Sequence, residues 1–208
     1  MDGQEYLNQI SAKNRPVKVS KSGILASKFF WVILIGVVGL VVILILGAIL
    51  GSGKGGEKTL SATLYLHLKN TSETIKTYQP DVKSSALRSS SASLQGVLSN
   101  TSNELSQYLT EKYSLKDGNI EKEVGKKVVE TADSEKEELK NELFEAKING
   151  ILDRIYAHKM AYEIKTIMAE ESKLDSATKN ETLKDLLNTS YTSLENLYDI
   201  FNDFSETK

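Results

Sequence analysis

The chain of 208 residues contains no cysteine. That excludes a disulfide framework, a thiolate-bound zinc or iron–sulfur centre, and lipid attachment to a cysteine. Histidine is nearly as scarce, with His67 and His158 the only two. Leu64 stands three residues before His67 and Ile155 three before His158, so the Glu-x-x-His pairs of carboxylate-bridged di-metal bundles are missing. No Gly-rich phosphate loop, HExxH or GxSxG occurs. These gaps argue against an enzyme and against a cofactor. Breakers are few beyond the first quarter of the chain: Pro80 is the sole proline after residue 56, and nine of the 13 glycines lie before residue 57. A Glu-, Lys-, Leu- and Ala-rich remainder with so few breakers favours long helices.

Against that background, residues 29–50, FFWVILIGVVGLVVILILGAIL, form 22 consecutive residues without a charge, an amide or a hydroxyl. At ~1.5 Å per residue, a helix of this length reaches about 33 Å, close to the ~30 Å hydrocarbon thickness of a bilayer. A helix apolar on every face needs lipid or a protein interior around it, and a chain of this size has no second apolar layer to enclose it. The run reads as a transmembrane helix, with Lys28, Phe29, Phe30 and Trp31 at its membrane interface. A secretory signal fits less well, because its apolar region spans roughly 7 to 15 residues and lies closer to the N-terminus. A type IV pilin helix would carry an early Glu, and this run has none. Gly47 and Gly51 make a GxxxG pattern, a site for helix–helix contact.

The formal net charge of −2 conceals a division. Lys13, Arg15, Lys18, Lys21 and Lys28 stand against Asp2 and Glu5 in residues 1–28, a net of +3, which leaves −5 for the rest. Arg15, Lys18, Lys21 and Lys28 lie within 15 residues before the apolar run, whereas only Lys54 and Lys58 lie within 15 after it. The positive-inside rule then places residues 1–28 in the cytoplasm as a basic tail against anionic headgroups, and exports everything after residue 51. The Gly-rich stretch 51–56 reads as a swivel linker. A negative exterior disfavours nucleic acid as a partner, since phosphate neutralisation needs clustered basic charge.

The opening MDGQEYLNQISAKNRPVK, the Lys-Phe-Phe entry into one membrane span and a Cys-free helical exterior together resemble small uncharacterised membrane proteins of Saccharibacteria and related candidate-phylum bacteria. The resemblance covers roughly the first 50 residues and rests on no catalytic motif. It implies a single-pass protein of an ultra-small, host-dependent bacterium, and no activity.

Hydrophobic periodicity over 57–208 predicts an all-α domain. Leu183, Leu186, Leu187, Tyr191, Leu194, Leu197, Tyr198, Phe201 and Phe204 draw one stripe along a helix from 177 to 205, with Thr178 and Glu181 at capping-box spacing. Leu139, Leu143, Phe144, Ile148, Ile151, Leu152 and Ile155 mark a long helix over 119–172. Ser134 and Glu137 form a second capping box there, a bend is expected near 132–134, and Gly150 is a weak point. Val82, Leu87, Leu94, Val97, Leu98, Leu105, Tyr108 and Leu109 mark a serine-rich helix over 81–114, ended by a turn at Lys116-Asp-Gly-Asn119. Leu60, Leu64, Leu68 and Ile75 mark a fourth over 57–79, although Thr63 to Leu68, TLYLHL, also alternates as a strand would. Four helices with short turns suit an elongated antiparallel bundle.

Candidate chemistry in this part is sparse. Tyr156, His158 and Glu163 form a potential polar site on the third helix, weighed against a partly exposed helix face. The Glu135–Lys147 charge run reads as a solvated face, and Tyr191, Tyr198, Phe201 and Phe204 have the spacing of core residues. Asn70, Asn100, Asn180 and Asn188 each begin an N-x-S/T sequon, uninformative in a bacterial protein. The expected function is a membrane-anchored extracytoplasmic bundle with a structural or protein-interaction role at the cell envelope, its partners being the bilayer and either an unidentified protein or a second copy. The alternative is an extracytoplasmic ligand-binding or sensor bundle that signals through a partner.

Overall fold

The computed structural model describes residues 56–206, and every regular element among them is helical. In chain order these are α1 (Gly56–Tyr78), a 3-10 turn (Gln79–Asp81), α2 (Ser85–Tyr113), α3 (Asp117–Val124), α4 (Lys126–Ile148), α5 (Leu152–Ala177) and α6 (Glu181–Glu206). No helix among the described residues is long and apolar enough to cross a membrane. The expected span over 29–50, its interface residues Lys28, Phe29, Phe30 and Trp31, the pair Gly47 and Gly51, and the basic tail 1–28 lie outside the described residues.

Four long helices close a ring of contacts, α1 on α2, α2 on α6, α6 on α5 and α5 on α1, and α4 lies along α1 and α5. Side-chain pairs fix the directions. Glu57 at the start of α1 accepts hydrogen bonds from Tyr108, Lys112 and Tyr113 at the end of α2, so these helices run antiparallel. Thr71 of α1 meets Glu163 of α5, whereas Lys83 and Ser84, beyond the end of α1, meet Asp153 in the first turn of α5. These two helices are therefore antiparallel as well. Lys136 reaches Glu73, the hydroxyl of Tyr78 donates to the Lys140 carbonyl, and Lys147 pairs with Asp81, so α4 runs beside α1 in the same direction.

Most of the stripes read from the sequence line the interior: Leu87, Leu94, Leu98, Leu105 and Leu109 from α2, and Leu183, Leu187, Leu194, Leu197 and Phe201 from α6 are buried, whereas Val97, Tyr108, Leu186 and the expected core residues Tyr191, Tyr198 and Phe204 sit at the margins, only half-buried. Each of the buried side chains contributes roughly 1.5–3 kcal/mol by leaving water. Helix α1 is buried on more than one face, with Leu64, Tyr65, Leu66 and Leu68 all inside, because α2, α3, α4 and α5 each pack against it. This explains the ambiguity of TLYLHL. Its apolar residues crowd together not as one face of a strand but as several faces of a helix with partners on several sides.

The single helix expected over 119–172 is three helices. Gly125 (φ +86°) and Gly150 (φ +71°) adopt backbone conformations that L side chains rarely take, and they separate α3 from α4 and α4 from α5. At Gly150 the chain closes a Schellman motif, with Ile151 N–H donating to the Ala146 carbonyl at 3.0 Å and Gly150 N–H to the Lys147 carbonyl at 3.2 Å. The expected bend near 132–134 is not where the chain turns, and Ser134 lies inside α4 instead of capping it. Helix α2 likewise ends before the expected Lys116–Asn119 turn. Ser114, at φ 57°, takes the left-handed position, and Leu115 N–H reaches back to the Leu109 carbonyl. The cap of α6 is Asn180, whose Oδ1 accepts from Leu183 N–H at 2.9 Å, with Thr178 Oγ1 accepting from Asn180 N–H.

Candidate functional site

Helix α5 has a buried stripe of Met160, Ile164, Ile167, Glu171 and Leu174 at spacings of four, three, four and three. On a neighbouring face Glu163 and Glu170, seven residues or about two turns apart, point towards α1. There His67 fills the gap between them. Its Nε2 donates to Glu163 Oε2 at 2.8 Å and its Nδ1 to Glu170 Oε2 at 2.9 Å. The side chains of His67, Glu163 and Glu170 are only 21%, 16% and 11% exposed. Thr71, one turn along α1, donates to Glu163 at 3.4 Å. A neutral imidazole has one N–H, so with both carboxyls ionised the two contacts call for the doubly protonated imidazolium. Burial opposes that charge, but the field of Glu170 and the hydrogen bonds to both carboxylates outweigh it and hold the imidazole well above its usual pKa. Glu135 of α4 faces the same cluster. Desolvation, together with repulsion from Glu163, Glu170 and Glu138, raises its carboxyl against the attraction of His67.

One residue further along α5 the environment is different. Glu171 is 1% exposed, and neither carboxyl oxygen has a hydrogen-bond partner among the described residues. Burial, with a smaller push from Glu170, drives its pKa up to about 8, and the neighbouring Ser190 of α6 only partly offsets this. Ser190 itself accepts from Thr101 of α2 at 3.0 Å, both side chains being buried. Glu171, Ser190 and Thr101 all occupy positions on the apolar stripes of their helices, and they form a polar layer inside a leucine core. At neutral pH the carboxyl in that layer is the uncharged acid.

The structure does not bring Tyr156, His158 and Glu163 into one site. Tyr156 is fully buried, its ring 6.4 Å from that of Phe201, and burial pushes its hydroxyl up to about 12. His158 stands about 200° around the helix from Tyr156 and is exposed. Partial desolvation and Lys159 lower its pKa. Glu163 alone joins a cluster, and its partners come from α1. Among the described residues no group of three or more histidine, aspartate and glutamate side chains is arranged to hold a metal ion.

No family model, curated protein or solved structure matches this chain.

A second feature lies on the outside of α4. Leu139, Leu143 and Ala146 point into the bundle, whereas Phe144 is 52% exposed, Ile148 63% and Ile151 43%. Leu139, Leu143, Phe144, Ile148 and Ile151 read as one apolar stripe in the sequence. Phe144 and Ile148 fall roughly 140–180° around the helix from Leu139, on the side away from α1 and α5. Ile151, also exposed, follows directly after the Gly150 turn, its N–H bonded back to the Ala146 carbonyl.

Proposed function

We propose that this chain is a membrane-anchored interaction protein: residues 29–50 hold it in the bilayer, residues 1–28 remain cytoplasmic, and the helical bundle works outside as a contact module of the cell envelope. The observation that carries the contact role is the patch Phe144, Ile148 and Ile151. Three of the four large apolar side chains that stand in water among the described residues lie here, the fourth being Ile200 of α6, and such clustered exposure marks a surface that meets another protein. The unbroken apolar run and the asymmetry of its flanking lysines support the anchor and its orientation.

A photo-reactive residue in place of Ile148, introduced in the native cell, should give a discrete protein adduct. Changing Phe144 and Ile151 to serine should abolish that adduct at unchanged melting temperature, and the same reagent at the exposed Ser93 of α2 should give none. Equal labelling from both positions would refute the contact. For the anchor, alkaline extraction should leave the chain in the membrane pellet, and protease added to intact cells should remove the C-terminal part. Recovery in the soluble fraction would sink that half of the reading. The half-buried His67, Glu163 and Glu170 favour a second reading, a sensor bundle that acts through its partner, since charge drawn partly out of water at a helix interface is costly to desolvate.

A further inference from the structure

Consecutive residues of α5 hold the helix to different neighbours. Glu170, with Glu163 two turns earlier, grips α1 through His67, while Glu171 lies in the interior beside Ser190 of α6. Hydrogen-bond accounting assigns one dissociable proton to each contact. The imidazole needs both of its N–H groups to serve two carboxylates, and a carboxyl 1% exposed with neither oxygen partnered is placed there only as the neutral acid. We propose that α5 is held in place by two removable protons, one on His67 that bridges it to α1 and one on Glu171 that keeps its buried carboxyl uncharged against α6, so that mildly alkaline conditions loosen this helix from both sides. The device goes beyond the contact role and depends on neither the anchor nor the apolar patch.

The surroundings make each proton matter. Facing His67 are Glu163 and Glu170 of α5 and Glu135 of α4, with Glu138 acting on Glu135. The cations near it are engaged elsewhere: Lys136 of α4 with Asn70 and Glu73, and Lys69 over the Tyr65 ring. On α2, Arg88 donates to the Val82 and Lys83 carbonyls, Glu104 accepts from Asn100, and Lys112 pairs with Glu57. Loss of the His67 proton therefore leaves one carboxylate without its donor and removes the positive charge between Glu163 and Glu170, with the more exposed Glu135 adding its repulsion. Glu171 is faced by Ser190 of α6, which is bonded to Thr101 of α2, and the charge acting on it is that of Glu170. Once ionised, it becomes an anion in the core beside another anion. Both groups bind their protons more tightly in the folded chain. The stability they supply is complete below the unfolded-state values of 6.5 and 4.5, and is lost as pH rises through the folded values, which for Glu171 is about 8.

The test uses the full-length chain in a neutral detergent, with His158→Gln leaving a single imidazole to observe. Nitrogen-15 NMR should find His67 doubly protonated at pH 7, with a midpoint well above 6.5 that falls back in Glu163→Gln. Amide exchange in α5, corrected for its intrinsic base catalysis, should rise about tenfold or more from pH 7 to 9.5, and less than about twofold in His67→Gln/Glu171→Gln. A neutral His67 at pH 7, or the same rise in wild type and double variant, overturns the proposal. If the double variant does not fold, Glu171→Gln alone must reduce the rise; an undiminished rise overturns it as well.

Discussion

Replacing Glu171 with glutamine should stabilise the bundle, and by an amount that grows with pH. In the unfolded chain the carboxyl ionises near its ordinary value of 4.5, while in the folded chain it is pushed up to about 8. Between those values folding must keep a proton on a group that would otherwise release it, at about 1.4 kcal/mol per pH unit. The cost is near zero at pH 4, about 3 kcal/mol at pH 7, and reaches a ceiling of about 5 kcal/mol above pH 8. Glutamine has nearly the same shape and no proton to lose, so the variant escapes this cost and keeps every other titration of the molecule. At roughly 2–4 °C per kcal/mol for a domain of this size, its melting temperature should exceed that of wild type by about 6–12 °C at pH 7. Helical circular dichroism during heating, recorded for both proteins at half-unit steps from pH 4 to 9, should give curves that meet at the acid end and diverge steadily. A constant gap across that range would mean that Glu171 ionises normally in the fold, and the reasoning about its burial would be wrong.

Ser114 holds a left-handed backbone at the end of α2 (φ 57°), and Ser114→Gly should add about 0.5–1 kcal/mol, seen as a higher urea midpoint at unchanged slope. Asp153 accepts from the Lys83 and Ser84 N–H groups at 2.8 Å each; Asp153→Ala should cost about 2 kcal/mol, with Asp153→Asn recovering part of it. Gly125, at φ +86° with nothing within 4 Å of where a Cβ would sit, is limited by backbone conformation and not by crowding. Gly125→Ala should therefore cost about 1–3 kcal/mol, whereas a D-alanine introduced there by chemical ligation should cost almost nothing.

Helical content and most of the core were legible because they depend on local spacing. Leu87, Leu94, Leu98 and Leu105, or Leu187, Leu194 and Phe201, repeat at four and seven residues, one and two helical turns, wherever the helix ends up. What spacing does not specify is which helix lies opposite. Phe144 and Ile148 are therefore indistinguishable from Leu139 and Leu143 until α1 and α5 are seen to take one side of α4. The same limit hides the histidine cluster. Proximity in sequence groups Glu163 with Tyr156 and His158, whereas its partner His67 is 96 residues away. One signal is readable in retrospect. Glu171 interrupts the stripe Met160, Ile164, Ile167, Leu174 at a core position, as Ser190 does between Leu187 and Leu194, and a charged residue in such a register announces a shifted ionisation. The turns at Gly125 and Ser114 escape sequence reading for a different reason. Each depends on one residue adopting a left-handed or extended positive-φ backbone, which neither composition nor periodicity records.

The central place of α1 also bears on how the chain is made. Residues 56–78 leave the ribosome long before α4 and α5, which cover Tyr65, Leu66 and the His67 face and end some 70 to 100 residues later. At about 5–20 residues per second, a freshly translated α1 waits roughly 4–20 seconds with several apolar faces in water. During that interval it is a natural client for a holdase or for the lipid surface. Slowing translation between codons 80 and 120 should therefore increase aggregation of the nascent chain, whereas slowing it after codon 180 should not.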